Sequence, residues 1–121
     1  MAGTSEDEPT PDEARIFAAI AQRTPFPEAV LAQVQAAHVA ARRWTGVGLY
    51  VDLSLPESAA LLPPAEPVCY GLTGTMAGRL CWFTLWLTDD RTRVQFLEVS
   101  TAEPDDLPAG SSLESLDEYA A

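Results

Sequence analysis

The residues 71–79, Gly-Leu-Thr-Gly-Thr-Met-Ala-Gly-Arg, place three glycines and two threonines directly before an apolar run. Glycine-rich loops of this kind can cradle phosphates, but only with a lysine followed by Ser or Thr and a helix N-terminus behind the loop. The chain contains seven arginines and no lysine, and Leu80–Leu87 reads as an aromatic-rich strand. The glycine run is therefore expected to be a hairpin turning at Ala77-Gly78, and neither a phosphate loop nor a dinucleotide fingerprint.

Nucleophilic chemistry would require a cysteine or serine beside a base. His38 is the single histidine, at the end of a helical pattern, and reads as a structural residue. Cys69 and Cys81 read as small buried hydrophobes, not as a disulfide. Asp89-Asp90 and Asp105-Asp106 are adjacent acids of the kind that shape turns. No Cys/His spacing matches a zinc site, so neither a metal nor another cofactor is expected. Glu98 is the acid of most interest, ending a strand on an apolar face, with Arg42 or Arg43 as its expected partner.

These side chains must be positioned by a small set of elements. Thr10-Pro11-Asp12-Glu13 carries the signature of a capped helix start, with Glu13 three residues after Thr10. Ile16, Phe17 and Ile20 form its apolar stripe. Thr24-Pro25-Phe26-Pro27 ends that helix and starts a second, with Val30, Leu31 and Val34 on its apolar face. Residues 39–44 fit either the helix end or a first strand. Val47, Leu49, Val51, Leu53 and Leu55 alternate with polar or small residues, as in a half-buried strand. The proline-rich span 56–67 is an irregular connection, and strands follow at about 68–75, 80–88 and 92–100. The fold class is thus α+β, with two N-terminal helices on one face of a four- to five-stranded, mostly antiparallel sheet. Residues 1–9 are expected to be a disordered acidic terminus, 10–100 a single domain, and 101–121 an acidic tail with a short helix.

Pairing the strands through tight turns gives two unequal faces. One carries Leu49, Val51, Leu53, Tyr70, Leu72, Phe83, Leu85, Val94 and Phe96, for the helices to cover. The other carries Tyr50, Trp82, Trp86, Arg93 and Leu97, a composition enriched at interfaces. That face is the expected binding surface for a protein partner or a second copy. An alternative from another class is a small-molecule-binding protein or minor enzyme, with a pocket between helices and sheet near His38, Tyr70 and Glu98.

The formal net charge of −11 belongs to the ends of the chain. Residues 1–13 and 98–121 hold −12 with no compensating base, whereas 14–97 holds +1. No basic cluster is present to displace counterions from phosphates, so nucleic acid is not an expected partner. The acidic N-terminus does not read as a signal peptide. The longest apolar run, Leu80–Leu87, is far below the ~20 residues that span a bilayer. The expectation is a cytoplasmic protein without a membrane partner.

The stretch Thr45-Gly46-Val47-Gly48-Leu49-Tyr50, followed by Leu87-Thr88-Asp89-Asp90 through Phe96-Leu97-Glu98, resembles a group of small uncharacterised bacterial α+β domains. The resemblance spans about residues 26–100. The chain departs from that pattern where an aromatic-rich segment would follow Glu98. The resemblance implies a compact α+β fold and carries no activity with it.

Overall fold

A computed structural model describes residues 8–63, 67–101, 107–108 and 110–116. Helix α1 (Pro11–Ala21) begins as its sequence requires. The Thr10 hydroxyl accepts from the Glu13 N–H at 3.1 Å, and Glu13 Oε1 accepts from the Thr10 N–H at 2.9 Å. This reciprocal box satisfies two backbone donors that a helix start otherwise leaves unpaired. Helix α2 (Pro27–Ala36) also opens on proline, where the missing N–H costs nothing. Residues 1–7, most of the N-terminal acidic segment, lie outside the described residues, as do the acids at 103, 105, 106, 117 and 118.

Among the described residues the sheet has six strands, not four or five: β1 (His38–Trp44), β2 (Gly48–Ser54), β3 (Cys69–Met76), β4 (Arg79–Leu87), β5 (Val94–Thr101) and β6 (Leu113–Leu116). Their spatial order is β1-β2-β5-β4-β3-β6, with every pair antiparallel. Residues 39–44 resolve as an edge strand with a bulge between Val39 and Ala41. The expected C-terminal helix is instead β6. Leu113 is buried opposite Met76, and the Ser115 and Thr75 hydroxyls share a hydrogen bond of 2.8 Å. The Leu113 N–H donates to Asp12 Oδ2 at 3.0 Å, which ties this strand to the start of α1.

The β3–β4 hairpin turns at Ala77-Gly78, both with positive φ, a conformation that glycine supplies without steric cost. Its register matches the reading from sequence, with Thr73 across from Trp82, Gly71 from Thr84 and Cys69 from Trp86. The β4–β5 register does not. Leu87 pairs with Val94, but Trp86 pairs with Phe96, so Gln95 is the extra residue of a bulge. One inserted residue exchanges the two faces for everything beyond it. Phe96 and Glu98 consequently lie with Trp86 and Tyr50, while Leu97 turns inward. In the connection before β5, side-chain hydrogen bonds from Thr92 and Thr88 and the Thr92 N–H hold the Asp90 carboxyl down at about 2.

The core lies between the helices and one sheet face. Ile16, Phe17, Ile20, Val30 and Val34 meet Val51, Phe83, Leu85, Leu97 and Val99, joined by Leu62 and Leu107 from the connections. Among the described residues three polar groups are buried at its margins, Glu13, Thr24 and Gln33. Gln33, fully buried, donates to the Ala60 and Thr92 carbonyls at 2.8 and 2.9 Å and accepts from the Val94 N–H at 2.8 Å. It thereby pins α2 to the residue that opens β5. Glu13 is buried too, and both its oxygens bind the Arg42 guanidinium at 2.8 Å. Arg42 is thus the partner of Glu13, and not of Glu98.

Candidate functional site

Neighbouring strands present their alternate side chains in rows across the second sheet face. The central row runs Arg43, Tyr50, Glu98, Thr84, Gly71. On one side of it lies Asp52, Phe96, Trp86, Cys69, and on the other Ser100, Trp82, Thr73. Both helices belong to the opposite core, and so do Leu62 and Leu107. Neither helix packs on this face, and Tyr50, Trp82, Trp86 and Phe96 are not part of the core cluster. Trp82 is 54% exposed, an unusual state for so large an apolar ring.

The remaining aromatic groups are held against one another. The Trp86 and Phe96 rings stack, with centroids 5.9 Å apart and planes inclined by 20°, and Tyr50 meets Phe96 edge-on at 5.9 Å. Arg43 reaches over the Tyr50 ring, its Cζ 5.0 Å from the centroid, and also pairs with Asp52 at 3.1 Å. Glu98 sits at the centre. Its Oε1 accepts from Trp86 Nε1 at 3.0 Å and its Oε2 from the Tyr50 hydroxyl at 3.3 Å. The carboxylate therefore orients two of the aromatic side chains through neutral donors. At Gly71 a Cβ would stand 2.7 Å from the Phe83 carbonyl oxygen, so the end of the central row carries no side chain.

Of the expected surface residues, Tyr50, Trp82 and Trp86 share this face. Leu97 does not. The bulge at Gln95 turns it into the core, where it is fully buried beside Leu85. Arg93 is engaged elsewhere, donating to the Pro56 and Glu57 carbonyls at 3.3 and 3.5 Å. It fastens the connection after β2 and leaves Arg43 as the cation beside the aromatic rings.

The residues of the alternative pocket do not converge. His38 is exposed at the start of edge strand β1. Tyr70 lies on β3, on the core side, four strand spacings or about 19 Å away. Glu98 belongs to the opposite face. Tyr70 packs edge-on against Phe26, with its hydroxyl buried and unpaired among the described residues, and burial pushes the phenol up. His38 instead borders a groove of about 440 Å³ between the helices, with Phe17, Leu31 and Val34. Among the described residues no three His, Cys, Asp or Glu side chains are grouped to hold a metal ion. Both cysteines are free. Cys69 is half-buried on the open face, whereas burial pushes the thiol of core residue Cys81 up.

Phe96 and Glu98, expected on the helix-covered face, lie on this one instead, and Arg43 and Asp52 complete it. A bulge leaves no reliable mark in an apolar strand, so Phe96 and Glu98 could have been assigned only if Gln95 were recognised as the extra residue. Among the described residues, no helix is long and apolar enough to cross a membrane. The chain matches no protein-family model, no curated protein and no solved structure.

Proposed function

We propose that the protein is a non-catalytic interaction module of the bacterial cytoplasm, and that its open sheet face meets a protein partner or a second copy. The observation that carries this reading is the half-exposed Trp82, set among Thr73, Thr84 and Ser100 on a face that the helices leave free. Tryptophan and tyrosine contribute large contact area at low entropic cost and are enriched at binding hot spots. The partner-binding residues are Tyr50, Trp82, Trp86, Phe96 and Glu98. An immunity or antitoxin-like role, blocking a partner by surface complementarity, is a specific form of this reading. The acidic charge is compatible with that form.

The test compares wild type with Trp82→Arg, a change at an exposed position. Affinity capture from native lysate should recover a protein with wild type and lose it with the variant. In parallel, solution molar mass should fall from dimer to monomer in the variant if the partner is a second copy. Equal capture by both proteins, with both monomeric, would exclude the face as the binding surface.

A further inference from the structure

Resting on that reading, we infer that the open face receives an arginine of a basic partner protein, with its guanidinium bound to Glu98. Glu98 is an anion whose two hydrogen-bond donors, Trp86 and Tyr50, are neutral. Among the described residues the ion pairs are Glu13–Arg42 and Asp52–Arg43, and Glu98 belongs to neither. Its charge is thus left for a cation from outside.

The geometry favours arginine over lysine. A carboxylate has about four lone-pair positions, two on each oxygen. Here each oxygen accepts one bond from the protein, which leaves one position free on each. A planar guanidinium offers a carboxylate parallel N–H donors in a fixed fork, whereas an ammonium acts as a point charge. The surroundings suit a flat cation as well. Thr84 and the side-chain-free Gly71 continue the row beyond Glu98, flanked along β4 by Trp82 on one side and Trp86 on the other, each two residues or about 6.6–6.8 Å from Thr84. Indole rings attract cations placed over their faces, which suits a cation seated between these two side chains.

Charge also selects against a second copy. Apposed faces would each bring a Glu98 without an ion-pair partner among the described residues. A basic partner would instead supply the cation that pairs with it.

The test uses the full chain, labelled with ¹⁵N, and follows the indole N–H signals of Trp82 and Trp86 during titration with end-blocked Gly-Arg-Gly or Gly-Lys-Gly. The arginine peptide should shift both signals and bind at least threefold more tightly than the lysine peptide of equal charge. Glu98→Gln should weaken it about tenfold, the scale of one charge-assisted bidentate contact. Glu114→Gln, an exposed acid on β6, should leave it unchanged. If Glu98→Gln disturbs the amide spectrum, Thr84→Leu, which fills the row beside Glu98, should abolish the shifts instead.

Equal response to the two peptides, or equal weakening by Glu114→Gln, would overturn the inference by showing general attraction to an acidic chain. A stable dimer that excludes the peptide would overturn it in favour of self-association. Capture lost in Trp82→Arg with no arginine preference would retain the face and remove the guanidinium. Equal capture by wild type and Trp82→Arg would remove the face itself.

Discussion

Strand β4 divides its apolar residues between two fates. Cys81, Phe83, Leu85 and Leu87 point into the helix-covered core and are essentially fully buried, whereas Leu80 and Trp82 on the other face are about half exposed. The difference does not come from hydrophobicity, since Trp82 and Phe83 are both large aromatic residues. It comes from what stands opposite. Phe83 meets the packed interior, while Trp82 has Thr73 and Ser100 as its strand neighbours. One face of the strand therefore contributes to stability, and the other is available for binding.

Substitution of Phe83 should expose that asymmetry most clearly. Phe83→Ala removes a fully buried ring and leaves a cavity that the helices can only partly close. A loss of about 3–5 kcal/mol is expected in urea unfolding. Similar stability for Phe83→Ala and wild type would mean that the helix-covered face is not the main core.

The polar residues of the two faces provide the intermediate contrast. Gln33 bonds two carbonyls and one N–H inside the fold; Gln33→Leu takes the side-chain partner from the Ala60 carbonyl and the Val94 N–H, while the Thr92 carbonyl keeps the Leu62 N–H, and should cost about 2–3 kcal/mol. Glu98→Gln keeps an acceptor near Trp86 and Tyr50 at a half-buried site and should cost below about 1 kcal/mol. The same unfolding measurement reads both. A larger loss for Glu98→Gln than for Gln33→Leu would make Glu98 a structural residue first, contrary to its assignment to binding.

How much of this was legible in sequence depended on where the chain departs from regular spacing. The α1 capping box was visible because Thr10, Pro11 and Glu13 act locally. The β3–β4 register was visible because a two-residue turn with Gly78 fixes the pairing of every residue behind it. The neighbouring β4–β5 register was not, because strict alternation through Gln95 divides the apolar residues Val94, Phe96, Leu97 and Val99 between both faces and so does not mark the extra residue. The roles of Gln33 and the Glu13–Arg42 pair were also hidden, since each depends on contacts between residues distant in sequence. The candidate face was legible in its tryptophans and in Tyr50, and not in the carboxylate at its centre.

The smallest expected effect is also the one that best separates the faces. Trp82→Ala deletes more side-chain volume than Phe83→Ala, yet the ring removed is half exposed and leaves no closed cavity. Its loss of stability should stay within about 1 kcal/mol, because about half of the ring is already in water and its burial contributes only in part. Exposure of Thr73 and Ser100 to water adds little cost because hydroxyls are readily hydrated. Urea unfolding of Trp82→Ala and Phe83→Ala under identical conditions gives the comparison directly. A destabilisation of 2 kcal/mol or more by Trp82→Ala would mean, on the scale of a buried side chain, that Trp82 is already covered by the protein's own chain, leaving no open face to bind a partner.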